Sequence, residues 1–218
     1  GAGQAFVAGA DVKFFVDKLR EDSFGEIFEF TSKGHEVLDS IENSQKTTIA
    51  LTTGLALGGG LELALSCDYR IGTRRSQFRF PETSIGIYPG LGGTQRTARI
   101  CGLECSRYAI LAGNFLDSVT AYDLGLLTHN VDPTEVDSVV SSLIGTKPDN
   151  KYPFRPANEV SKVVDFSKKF YSDTNIGALL EGEIPSGFDP DDPMVSRQVK
   201  ALSRAAPISL RIARELLS

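Results

Sequence analysis

Three consecutive glycines, Gly58-Gly59-Gly60, constrain this chain more than any other stretch. They come after an apolar, β-branched run (Thr48 to Thr53) and Ala56-Leu57, and they lead into an apolar helix pattern, Leu61 to Leu65. Without Cβ atoms, the backbone there is uncovered and free to adopt unusual torsions. The first N–H groups of the next helix have no partner inside it, and with the helix dipole they suit a site where negative charge appears. Glu62 lies one short turn in, where a carboxylate reaches the same pocket. The stretch therefore predicts a catalytic site: a free amide for an oxyanion and a carboxylate for moving protons.

The chain has 218 residues, 41% of them hydrophobic and 23% charged, enough for one sizeable core in an ordinary globular protein. A net charge of −5 gives no global pull toward nucleic acid or an anionic membrane, leaving only a local basic spot for a phosphate. No apolar run approaches the roughly 20 residues of a membrane span, and no signal peptide is visible. Cys67, Cys101 and Cys105 are odd in number and match no disulfide framework, so a reducing, cytoplasmic setting is expected. With only two histidines in the chain, Cys101 and Cys105 make a poor metal site, and no metal is expected. The chain opens on Gly1 and its one methionine is Met194, so it reads as a fragment of a longer product.

Along the chain, Gln4 to Ala8 reads as a strand closed by Gly9-Ala10-Asp11, with Asp11 placed to cap a helix from Val12. Helical spacing runs from Ser23 to Ile41, and Thr47 to Thr53 is β-rich. Asp68 to Thr73 and Gln77 to Phe80 read as strands around the basic turn Arg74-Arg75. Pro81 then fixes the backbone before Glu82, and Gly90-Leu91-Gly92-Gly93 again strips side chains from a loop entering a helix, Thr94 to Ile100. Helices at Glu104–Leu111 and Val119–Leu124, a strand near His129–Val131 and a helix from Pro133 to about Leu143 follow. This alternation argues an α/β domain. After the connection Gly145–Pro156 the pattern is helical: Val160–Phe170, Ile176–Leu180, Met194–Ala205, and a last helix with Pro207 in its first turn.

Ala8-Gly9-Ala10-Asp11-Val12-Lys13, Ala56-Leu57-Gly58-Gly59-Gly60-Leu61-Glu62-Leu63-Ala64, and Pro81-Glu82 through Gly92-Gly93-Thr94-Gln95-Arg96 stand together in order. Together they resemble the crotonase superfamily, most closely its enoyl-CoA hydratases, across roughly Gln4 to Val131. The resemblance implies a crotonase-like spiral core of ββα units (residues 1–145, without the family's opening strands). A C-terminal helical region, 146–218, would serve oligomerisation and cover the active site. It implies a coenzyme A thioester as substrate and assembly into trimers or dimers of trimers. Carried over by motif, the backbone N–H groups of Ala10 and Gly59 form an oxyanion hole, and Glu62 and Glu82 are the catalytic pair. Ala8, Ala10, Asp11, Val12, Lys13, Gly58, Gly59 and Gly90 line the substrate side. The activity implied is reversible syn addition of water to a trans-2-enoyl-CoA, with Glu62 mainly on the water and Glu82 mainly on the α-carbon proton. No cofactor is needed, since coenzyme A belongs to the substrate.

Each of these residues also has a plainer reading. Glu62 alone is a first-turn acid complementing a helix dipole, and Glu82 alone a turn residue; their joint occurrence with both glycine loops favours catalysis. Gly1-Ala2-Gly3 and Gly90–Gly93 lack the spacing of a dinucleotide fingerprint. Arg96 reads as a structural ion-pair partner, His35 and His129 as surface or core-satisfied residues, and Arg74-Arg75 as a solvated turn or a contact for a coenzyme A phosphate. Relative to the family, Lys46-Thr47-Thr48 lacks the usual proline and Thr120–Leu127 is about three residues short. The tail beyond Asp149 is similar to hydratase modules fused behind a 3-hydroxyacyl-CoA dehydrogenase. Phe80-Pro81-Glu82-Thr83, Thr128–Val131 and Ala206–Leu210 resemble the 3-hydroxyisobutyryl-CoA hydrolase branch, where glycine usually stands in place of Glu62. Hydrolase and isomerase are therefore the alternatives, with a non-catalytic acyl-CoA-binding or assembly fragment more distant.

Overall fold

The structure is a computed structural model that describes residues 5–218. Gly1–Gln4, with the Gly1-Ala2-Gly3 run and the first residue of the expected opening strand, lie outside the described residues. Two small sheets organise the first two thirds of the chain. In one, β1 (Ala5–Val7) and β5 (Gln77–Arg79) flank β3 (Leu55–Leu57) in parallel, and β6 (Leu116–Asp117) closes the edge antiparallel to β5. In the other, β2 (Ile49–Thr52), β4 (Tyr69–Gly72) and β7 (His129–Asn130) lie side by side in parallel.

From β1 to β5 successive strands alternate between the sheets. Only Thr53 and Gly54 separate β2 from β3, yet the two strands belong to different sheets. A helix, α3 (Gly59–Ser66), then returns the chain to β4 and the cycle repeats. Parallel neighbours need such long crossovers, which is why a ββα spiral satisfies both sheets at once. Two features differ from expectation. The β-rich run does not lead directly into the glycine turn, because β3 intervenes, and α3 begins at Gly59 rather than Leu61.

Between β1 and β2 come α1 (Val12–Arg20), capped as expected by the Asp11 carboxylate on the Lys13 N–H at 2.9 Å, and α2 (Phe24–Glu42). After β5 come a 3-10 turn, Glu82–Ile85, then α4 (Gly93–Cys101), α5 (Leu103–Ile110), α6 (Ser118–Asp123) and α7 (Val136–Leu143). Although the Thr120–Leu127 segment is short, Ala121, Leu124, Leu126 and Leu127 are all buried.

The tail forms α8 (Lys162–Phe170), α9 (Ile176–Leu180), α10 (Pro193–Leu202) and α11 (Pro207–Leu216), with Pro207 in the first turn as expected. One hydrophobic cluster joins the spiral to the tail: Leu61, Leu65, Phe78 and Phe80 share it with Val164, Phe170, Leu202, Leu210 and Leu217. Each such side chain contributes about 1.5–3 kcal/mol on burial. Arg107 of α5 is fully buried and donates to the carbonyls of Tyr171 and Leu217, tying down the end of the chain. The Ala206 N–H donates to Thr83 O at 2.9 Å, so α11 begins against the turn that carries Glu82.

Candidate active site

Two glycine-shaped loops meet at the ends of β1 and β3. Gly9 has φ +89, and Gly58 has φ +50 with ψ −123, backbone states that an L side chain rarely adopts. A Cβ on Gly9 would stand 3.0 Å from Leu57 O and 3.8 Å from Gly59 N, and one on Gly59 would stand 4.0 Å from Ala10 N. Bare backbone therefore packs on bare backbone, and the amides of Ala10 and Gly59 border one space. Among the described residues, neither N–H donates to a backbone acceptor. Gly60 serves the packing instead. A Cβ there would collide with Val7 O, so β1 can lie against the start of α3 only because residue 60 is glycine.

Glu62 and Glu82 are both buried and reach that same space. The position of a Cβ on Gly59 lies 3.9 Å from Glu62 Oε2, and that of a Cβ on Gly58 lies 2.7 Å from Glu82 Oε1. The two carboxyls are held differently. Glu62 Oε1 accepts the N–H groups of Leu91 and Gly93, each at 2.7 Å, where the glycine loop enters α4. Glu82 Oε2 is buried without a hydrogen-bond partner among the described residues. Its turn is pinned by the Thr83 hydroxyl on Leu111 O at 3.2 Å and by the Ala206 amide.

This difference sets their protonation. Burial leaves the Glu62 carboxyl above its ordinary range, although the Gly93 and Leu91 amides and the Arg96 charge oppose the shift. Burial first, then the neighbouring Glu62 charge, pushes Glu82 up to about 8, with only small opposition from hydrogen bonding and Arg79. Both carboxyls are thus shifted upward; at neutral pH Glu82 keeps its own proton, whereas Glu62 has two amides and a cation that favour its charged form.

The remaining residues expected at the site divide. Ala8, Ala10, Asp11, Val12 and Lys13 form an exposed rim beside the amide of Ala10. Gly90 is less central, because a Cβ there would meet only Tyr88 O within 4 Å. Arg74 is an exposed partner of Asp132 at 3.1 Å, which matches a solvated turn. His129 packs edge-on against Tyr69 and contacts the Thr128 hydroxyl. Leu91 and Gly93, the donors to Glu62, are not among the site residues that the sequence points to. Its only signal for them is the loop-to-helix glycine pair, which marks free amides without saying what they bind.

A family profile described as Enoyl-CoA hydratase/isomerase matches residues 1–218. The chain belongs to the enoyl-CoA hydratase/isomerase family. Within that family it is 44% identical over 128 residues to an enoyl-CoA isomerase/hydratase of Mycosarcoma maydis, covering 58% of this chain and 45% of the relative. It is 38% identical over 146 residues to a crotonyl-CoA hydratase of Syntrophomonas wolfei, covering 66% and 55%. The chain thus spans about half the length of the curated relatives it matches. The crystal structure of an enoyl-CoA hydratase from Rhodobacter sphaeroides superposes on 98% of this chain and 62% of its own, with TM-score 0.76 and 24% identity, establishing the enoyl-CoA hydratase fold through the tail helices. Among the described residues, no helix is long and apolar enough to cross a membrane.

Proposed function

We propose that this chain is a 2-enoyl-CoA hydratase, adding water reversibly to a trans-2-enoyl-CoA thioester to give the 3-hydroxyacyl-CoA. One observation carries the reading: the amides of Ala10 and Gly59 and the carboxyls of Glu62 and Glu82 border a single space above Gly58-Gly59. The thioester oxygen lies between the two amides, which stabilise its enolate charge. Losing one such donor typically costs about 3–4 kcal/mol. Glu62, oriented by two N–H groups that favour its charged form, takes a proton from water as the oxygen bonds to the β-carbon. Glu82, protonated at neutral pH, delivers its proton to the α-carbon on the same face. Passage of the proton from Glu62 back to Glu82 resets the pair. Carboxyls and amides complete this chemistry without a metal or redox cofactor.

The exposed rim Ala8–Lys13 receives the coenzyme A portion. The expected assembly is a trimer or dimer of trimers in the cytoplasm, in keeping with three unpaired buried cysteines. A fused or partnering 3-hydroxyacyl-CoA dehydrogenase fits the product. A second reading, double-bond isomerisation, has support in the Mycosarcoma maydis relative, whose name carries both activities.

Crotonyl-CoA and a 3-enoyl-CoA together decide among these. Loss of enoyl absorbance without free thiol supports hydration; free thiol indicates the 3-hydroxyacyl-CoA hydrolase alternative. Conjugation gained from a 3-enoyl-CoA indicates isomerisation. Binding without turnover leaves an acyl-CoA-binding or assembly fragment. Glu62→Gln and Glu82→Gln should each cut hydration by roughly 10²-fold or more, and near-normal rates in both would end the carboxylate-pair reading.

A further inference from the structure

Behind the loop that orients Glu62 lies a buried arginine. Arg96 of α4 donates through Nη1 to Leu91 O at 2.8 Å, and the N–H of that same Leu91 donates to Glu62 Oε1 at 2.7 Å. The guanidinium is held from the other side by α2: Nε meets Glu42 Oε2 at 2.7 Å and Nη2 meets Asp39 Oδ1 at 2.8 Å. Glu42 is in turn hydrogen-bonded by the Tyr152 hydroxyl from the connection that precedes the tail. Gly92 makes the room, since a Cβ there would collide with Arg96 Nη1. The pair with Glu42 is the stronger restraint, as both side chains are largely buried whereas Asp39 is 61% exposed.

We propose that Arg96 is a positioning residue for Glu62: through Leu91 it holds the loop whose amides aim the carboxylate, and Glu42 and Tyr152 hold Arg96. This rests on the hydratase reading for its consequence in turnover, but the contact chain stands apart from it. A bare ion pair between α2 and α4 would need only the Glu42 and Asp39 contacts. The third bond, to the carbonyl of the residue that presents a Glu62 donor, is what a positioning role adds. The charged groups around Glu62 are Glu82 on the 3-10 turn and Arg96 on α4, with Asp39 and Glu42 on α2 behind Arg96 and Arg79 of β5 on the Glu82 side. Arg96 is the only cation among them placed to favour the ionised form of Glu62, and the two amides act in the same direction. Losing it therefore moves the Glu62 titration upward.

The test uses the full chain with Arg96→Gln, Arg96→Lys and Glu42→Gln. For Arg96→Gln we expect a fall in kcat of about 10–100-fold with KM for the thioester nearly unchanged, the scale of a misplaced catalytic group. The acid limb of the kcat/KM profile should shift to higher pH. Arg96→Lys should recover part of kcat by keeping the charge. Glu42→Gln should move both readouts in the Arg96→Gln direction and reports in its place if that variant fails to fold. A carboxyl 13C NMR titration of Glu62, assigned by the signal missing from Glu62→Gln, gives the same answer without turnover. If the wild type hydrates nothing but the Glu62 titration rises in Arg96→Gln, the hydratase reading fails and the positioning role survives. Folded variants that lose only thermal stability, with the Glu62 titration and pH limb unmoved, overturn it.

Discussion

Glu62 and Gly93 are fitted to one another: the Gly93 N–H donates to Glu62 Oε1 at 2.7 Å, and a Cβ on Gly93 would stand 2.8 Å from that same oxygen. Residue 93 opens α4 with ordinary helical torsions, so alanine is tolerated by the backbone and excluded by the carboxylate and by Pro89. Gly93→Ala should therefore leave the chain folded while turning Glu62 away, costing kcat about 10²-fold with little change in KM. Steady-state kinetics beside a circular dichroism melt check this; wild-type kcat in the variant would show that the carboxylate has slack.

Glu82 makes stability depend on pH. Its folded-state titration near 8 lies above the ordinary carboxylate value, so the native chain binds a proton that the unfolded chain has released. The contribution is fully present below about pH 4.5 and is lost as pH rises through about 8. Glu82→Gln removes this dependence. Each tenfold difference in proton affinity is worth about 1.4 kcal/mol, so at pH 9 the variant should be more stable than wild type by roughly 2–5 kcal/mol, while turning over poorly. Urea melts at pH 6 and pH 9 measure it, and an equal difference at both would contradict the protonated Glu82.

Gly60 tests the contact between β1 and α3. A methyl at Gly60 meets Val7 O, which is backbone and cannot swing aside. Gly60→Ala should cost about 1–3 kcal/mol, as overpacking does, and should separate the Ala10 loop from Gly59, so activity falls more steeply than stability. A variant with the wild-type melting temperature and rate would refute this close approach.

Arg107 tests the attachment of the tail. It is 2% exposed and its guanidinium is spent on the carbonyls of Leu217 and Tyr171, with Asp173 at 2.7 Å. Arg107→Met fills the volume but orphans those carbonyls, at about 1–3 kcal/mol for each buried group left unsatisfied. Hydrogen exchange should rise first in α11 and at Ala206, whose N–H donates to Thr83 O. Exchange unchanged in α11 would show that the tail is held by its apolar contacts alone.

Much of this molecule is legible as sequence because the signals are local. Apolar periodicity marks α2, α8 and α10, Asp11 marks the cap of α1, and Pro207 marks the first turn of α11. The glycine runs and the acids beside them name the residues of the candidate site. Two strands escape such a reading, β3 and β6: strands as short are marked elsewhere by flanking turns, but these run straight into the glycine turn of α3 and into α6 and are fixed by their partners. The unequal treatment of Glu62 and Glu82 is likewise invisible in the sequence. One accepts amides from residues 29 and 31 positions away and the other is left with an unpartnered oxygen. Residue order determined which groups were available and which backbone could approach closely. Only tertiary packing decided which carboxyl keeps its proton, since desolvation and hydrogen bonding act through space and not along the chain.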